Sequence, residues 1–397
     1  MASSHPSLDP DTILKEASQR ADSPVRLGGG PGEAFFMEGL QRLLESLEQE
    51  GRLNAIGRGI ARERVLLHVT NRLLYVRDRA RHPEISQERI VAPVFIVGMP
   101  RTGTTILHDI LAQDPSSRAP LTWETMFPSP PPEAATFETD PRIELCAATF
   151  PDVDAQIPAF KAMHPMGAQL SQECVTMMGE TMCTPLFHNQ FRVPAYQDWV
   201  DREADLSHVY AFHERQLQHL QWRNERDRWV LKTGAHMWGL EHLLRTYPDA
   251  RIVFTHRDPV KTMTSYASLT ALVRSMGSDE VDPIEIADDW TRRIKRVLEH
   301  AIGVRETESH PRAIFYDMHF QDFVTNPFAV VERIYDAFDL PLSGEAADRM
   351  RAYIADNPKD KHGIHRYSPE QFGVRPDAVR EAFRPYLDRF GLEPESI

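Results

Sequence analysis

Cysteine is nearly missing from this chain: there are three in 397 residues, Cys146, Cys174 and Cys183, and no Cys-x-x-Cys pair. An odd, scattered set indicates neither a disulfide framework nor a cysteine zinc site, and it points to a reducing compartment. Long apolar runs are missing too, with nothing near the ~20 residues that cross a bilayer. The polar opening stretch from Met1 to Arg26 lacks the apolar core of a secretion signal. The expectation is a cytoplasmic protein with no integral membrane segment. Positive charge is in deficit, 45 Lys and Arg against 58 Asp and Glu, a net charge of −13. Broad binding to nucleic acid or to an anionic membrane is disfavoured, although a local basic pocket remains open. Internal repeats, heptads and long low-complexity tracts are also lacking.

The length admits roughly two or three domain-sized pieces, or one α/β domain with a helical insertion. Residues 1–30 are expected to be disordered and 31–90 to form a helical N-terminal region, with Leu40, Leu43, Leu44 and Leu47 on one face and Leu66, Val69, Leu73 and Leu74 on another. From 91 to 397 strands alternate with helices. Strands are predicted at Val91–Val97, Trp229–Leu231, Arg251–Thr255 and Arg312–Tyr316, and helices at Thr105–Gln113, Ala204–Trp222, His236–Tyr247, Pro283–Val304 and Asn326–Phe338. That rhythm predicts a P-loop-type α/β fold, a mainly parallel sheet with helices on both faces. Around 126–200 it is interrupted by Pro-Ser-Pro-Pro-Pro and a Met-, Phe- and Pro-rich stretch, which reads as a helical cap on the acceptor side.

The chemistry concentrates after the first strand, in Gly98-Met99-Pro100-Arg101-Thr102-Gly103-Thr104-Thr105. Glycines there permit a tight turn and close backbone approach, and the N–H groups opening the next helix point at an anion. The spacing fits a phosphate-cradling loop, yet Thr104 stands where a Walker A loop has its Lys, and the cation has moved to Arg101. About 150 residues later a strand ends in His256-Arg257-Asp258-Pro259, with Ser265 eight positions after Arg257. A guanidinium and a helix hydroxyl at that spacing suit a phosphate.

Together these elements resemble sulfotransferases that use 3′-phosphoadenosine-5′-phosphosulfate (PAPS), and the Arg in the loop is more like the tyrosylprotein branch than the cytosolic detoxifying one. The resemblance covers roughly Pro93 to Pro327. It implies that Arg101, Thr102, Gly103, Thr104 and Thr105 hold the 5′-phosphosulfate and that Arg257 and Ser265 hold the 3′-phosphate. Lys232, in Trp-Val-Leu-Lys-Thr, is implied as a second cation on the transferring group. Cytosolic members place a His two residues after this Lys, where the present chain has Gly234. The base is therefore sought elsewhere: at Glu124, which follows Asp114-Pro115 somewhat as in the tyrosylprotein branch, or at His236. The adenine-stacking Trp of cytosolic members is Ile106 here, and Phe320 is the candidate aromatic. A late basic segment, Lys359 to Tyr367, resembles the loop that folds over the 3′-phosphate. No metal is expected.

The implied activity is transfer of a sulfuryl group to a hydroxyl or amine of a small molecule or lipid. Met163, Met166, Met177, Met178 and Met182 with Phe160 and Phe187 form either a pliable apolar acceptor site or a Met-rich core, and Gln172-Glu173 is placed to meet acceptor hydroxyls. The competing readings are a P-loop nucleotide-binding regulator and a catalytically silent nucleotide binder.

Overall fold

The structure is a computed structural model that describes residues 6–23, 32–150, 167–307, 310, 312–358 and 368–396. Five parallel strands form one sheet in the order β2-β3-β1-β4-β5: β1 Val94–Gly98, β2 Ser117–Arg118, β3 Arg228–Lys232, β4 Arg251–His256 and β5 Ile314–His319. The central strand β1 has all five residues buried, as expected where helices cover both faces. Side chains of successive residues therefore enter different cores. Phe95 and Val97 join Leu231, Ile252 and Phe254 on one face, while Val94 and Ile96 join Val230 and Val253 on the other.

Parallel register brings the carboxyl ends of the strands together. Gly98 of β1 lies opposite Thr255 of β4, and Ile96 lies opposite Lys232, the last residue of β3. Loops leaving these ends form the crevice in which such sheets bind ligands. Strand β5 begins two residues later and ends three residues later than Arg312–Tyr316, at Ile314–His319, and so delivers Phe320 directly at its carboxyl end. Strand β2, an edge strand of two residues, is too short for alternation to announce it.

Helices α1 (Pro10–Arg20), α2 (Glu33–Glu50) and α3 (Ala55–Arg81) precede the sheet. Disorder over 1–30 is not what residues 10–20 show. Asp9 caps α1 by accepting from Thr12 N at 2.8 Å, Pro10 opens it, and Ile13 and Ala17 are fully buried. Arg62 of α3 pairs with Glu16 of α1 at 2.5 Å. The leucine stripe of α2 and Leu66, Val69 and Leu73 of α3 are buried as expected, and Leu74 is partly buried.

Between β1 and β3 the chain forms α4 (Thr104–Leu111), then a cap that includes α5 (Thr122–Met126) and α6 (Pro141–Ala147). The cap has its own small core, with Trp123, Cys146 and Ala168 packed among Phe127, Phe137 and Ile143. Met177, Met178, Met182 and Phe187 do not line an acceptor cleft; each is at most 3% exposed within the main core that α2 and α3 also enter. Phe160, Met163 and Met166 lie outside the described residues, as does Lys359 to Tyr367.

Candidate active site

The turn after β1 is shaped by backbone conformations that side chains resist. Gly98 has φ 148°, and a Cβ on it would lie 2.3 Å from Thr255 Oγ1; Gly103 has φ 85°. Between them Arg101 adopts φ 66°, a left-handed conformation costing a non-glycine residue roughly 1–2 kcal/mol. The turn is locked from below: Thr102 Oγ1 donates to Met99 O at 2.8 Å and lies 2.6 Å from Thr255 Oγ1. Helix α4 starts immediately afterwards, so its first N–H groups, which have no intrahelical acceptor, face the space above the turn.

Three cations converge there. Arg101 donates from Nε to Ser265 Oγ, 3.1 Å away on the helix Pro259–Arg274. Arg257, one residue beyond β4, donates from Nη1 to Arg101 O at 2.8 Å, and its guanidinium lies 3.8 Å over the Phe320 ring. Lys232 is 1% exposed and donates to Thr105 Oγ1 at 3.2 Å. Phe320 also packs against the turn, since a Cβ on Gly103 would lie 3.3 Å from its ring. Arg101, Thr102, Gly103, Thr104, Thr105, Lys232, Arg257, Ser265 and Phe320 are thus gathered around one turn, drawn from the ends of four strands.

Neither expected base joins them. Glu124 is fully buried in an ion pair with Arg118, and its other oxygen accepts from Leu121 N at 3.0 Å, closing a capping box on α5. Burial raises the Glu124 carboxyl above its ordinary range against the pull of Arg118, and burial likewise lowers Arg118. With both oxygens engaged, Glu124 is a brace of the cap. His236 is also fully buried; Tyr210 Oη lies 3.0 Å from its Nδ1 and Phe95 packs against its ring, on the opposite face of the sheet from α4. Its imidazole is held well below the ordinary value by loss of solvation, reinforced by His213. At Gly234, a Cβ would lie 2.9 Å from Gly98 O, so the position used by cytosolic sulfotransferases has no room for a side chain.

Among the described residues, the carboxylate that reaches Lys232 is Glu173. Its Oε1 lies 2.6 Å from Lys232 Nζ, and the side chain keeps 26% of its surface exposed. Backbone pairing of the two cap stretches places it: Leu121 bridges Ser171, Gln172 N donates to Pro120 O at 2.7 Å, and Trp123 N donates to Ala168 O at 3.0 Å. Glu173 then opens the helix Cys174–Met178, whose Cys174 and Met177 are buried. Only the pair Gln172-Glu173 in a cap stretch marked it in the sequence, with no spacing to a motif.

Comparison with known proteins gives this geometry its class. The model of the sulfotransferase family matches residues 93–344, and the chain belongs to that family; it is a sulfotransferase enzyme. Omega-hydroxy-beta-dihydromenaquinone-9 sulfotransferase Stf3 of Mycobacterium bovis is 26% identical over 320 residues, 77% of each chain. Among solved structures, sulfotransferase STF9 of Mycobacterium avium superposes with a TM-score of 0.89 at 27% identity, covering 98% of this chain and 99% of that one. Sulfotransferase STF1 of Mycobacterium tuberculosis gives 0.84 at 29% identity, over 95% and 98%.

Proposed function

We propose that this sulfotransferase takes its sulfuryl group from PAPS and passes it to a hydroxyl of an apolar, lipid-like acceptor, with Glu173 receiving the proton. The observation that carries the reading is the convergence of Arg101, Lys232 and Arg257 on one glycine turn with Glu173 at its cap side. The residues suit the donor. Arg101, the N–H groups opening α4 and the hydroxyls of Thr104 and Thr105 would hold the 5′-phosphosulfate, Arg257 and Ser265 the 3′-phosphate, and Phe320 the adenine. Arg257 already grips a carboxylate in two-pronged fashion, so an anion fits between its nitrogens.

PAPS supplies a sulfur–oxygen bond that breaks with its electron pair going to the phosphate, while the acceptor oxygen bonds to sulfur and loses its proton. The chain's part is positioning and charge. Lys232 reaches both Thr105 and Glu173, so sulfuryl oxygens arriving beside Thr105 compete for the ammonium and free the Glu173 carboxylate to take a proton. Arg101 offsets charge on the oxygens of the breaking bond. The apolar acceptor is supported by the apolar make-up of the cap beside Glu173 and by similarity to Stf3 of M. bovis, whose name gives it a hydroxylated dihydromenaquinone as substrate.

The test is transfer of labelled sulfate from PAPS to a terminal-hydroxyl quinol, a sterol and a simple phenol, with products identified by mass spectrometry. Transfer to the hydroxylated lipids above the phenol is expected. Magnesium-dependent hydrolysis of ATP with no sulfated product would overturn the reading.

A further inference from the structure

Arg257 does not wait with an open guanidinium. Its Nε donates to Glu395 Oε1 at 2.9 Å and its Nη2 to Glu395 Oε2 at 3.0 Å, the parallel fork in which arginine holds a carboxylate or a phosphate. The pair is mostly shielded, with side chains 17% and 14% exposed. Nor is the contact a loose surface encounter. Glu395 N donates to Asp258 Oδ2 at 2.9 Å, Glu395 O accepts from Arg380 Nη2 at 3.2 Å, and Arg380 in turn pairs with Asp258 at 2.9 Å. Asp258 is the cap of the helix that carries Ser265. The backbone of residue 395 is therefore pinned to the element that builds the phosphate site, which aims its carboxylate at Arg257.

We infer that Glu395 is a specificity-determining residue: a displaceable carboxylate that occupies the 3′-phosphate position and sets how strongly the enzyme separates 3′-phosphorylated nucleotides from those ending in a 3′-hydroxyl. This rests on the assignment of Arg257 to the 3′-phosphate made above. A 3′-phosphate cannot share the fork with a carboxylate, because two anions would meet on one guanidinium. Its arrival requires the Glu395 side chain to swing out, while the backbone anchors at Asp258 and Arg380 stay in place. A nucleotide with a 3′-hydroxyl makes no such demand, since a hydroxyl can donate to the resident carboxylate. Glu395 thus weakens the binding of PAPS and of its product selectively, and product release gains from the returning carboxylate.

The experiment is calorimetric titration with 3′-phosphoadenosine 5′-phosphate and with AMP, on the unaltered chain and on Glu395→Gln, Glu395→Ala and Arg257→Ala. Removal of the resident charge is expected to tighten the bisphosphate about tenfold in both Glu395 variants, with AMP changed less than twofold. Equal tightening of both nucleotides, or bisphosphate affinity that stays level or falls in both Glu395 variants, would overturn the inference. Failure of the underlying donor assignment looks different: the bisphosphate would bind no better than AMP to the unaltered chain, and Arg257→Ala would change neither.

Discussion

The donor side and the cap are held together by different means. Around the glycine turn the key residues lie on or just beyond strand ends, and backbone pairing sets their places: Gly98 faces Thr255 and Ile96 faces Lys232 whatever the neighbouring side chains are. In the cap, side-chain charge carries more of the load. Glu124 of α5 pairs with Arg118 of β2 in a sealed contact, whereas Glu173 holds Lys232 of β3 in a partly open one. Both glutamates sit beside a cation, yet one is sealed and the other partly open. On the proposed reading, the partial exposure of Glu173 suits proton exchange with an acceptor, and the complete burial of Glu124 suits a support.

Substituting the two glutamates in turn tests that contrast most sharply. Glu173→Gln is expected to lower kcat by roughly 10²–10⁴-fold with PAPS affinity within about twofold, measured by steady-state kinetics and calorimetry. A similar kcat for the variant would move the base elsewhere. Glu124→Gln leaves Arg118 buried without its counter-charge and is expected to cost about 3 kcal/mol of stability in urea unfolding, with kcat falling far less than in Glu173→Gln. If catalysis collapsed while stability held, the assignments of the two residues would have to be exchanged.

Arg257→Ala probes the donor side alone. It is expected to cost 3′-phosphoadenosine 5′-phosphate about 2 kcal/mol of affinity and AMP almost none, by calorimetry. The last prediction concerns acid. His108, whose Nε2 donates to Val230 O at 3.0 Å, is lowered by burial to about 3, and the buried His219 to about 4. Unfolded histidine binds protons near pH 6.5, so between pH 6.5 and about 4 the unfolded chain takes up protons that the folded one refuses. Stability is lost as pH falls through that window, at up to ~1.4 kcal/mol per pH unit for each such histidine. His108→Gln is expected to flatten the slope of unfolding free energy against pH by about that amount.

The gathering of residues around the glycine turn was legible because local patterns mark them: a strand, a glycine turn and an Arg-to-Ser spacing of eight each lie within one short stretch. The cap was not, because its roles depend on pairings between distant stretches. Glu124 reads as a base after Asp114-Pro115, and only the position of Arg118 shows its charge to be paired with strand β2. Glu173 depends on Leu121 meeting Ser171, a contact across 50 residues with no alternation on either side. Helix α1 escaped notice for a related reason: its polar sequence gives few apolar residues, and Ile13 and Ala17 matter only once α3 is beside them. The shift of β5 is smaller, and it places Phe320 against the turn more directly than the expected strand did.

The crowding of Gly234 against the Gly98 carbonyl reaches beyond one missing histidine. If Glu173 is the base, as proposed, the proton acceptor comes from the inserted segment between β1 and β3 and not from the sheet position that Gly234 fills. Any exchange of that segment with a relative's, in a chimera or over evolutionary time, would transplant recognition and deprotonation as one inherited module and leave the sulfate-donating half untouched.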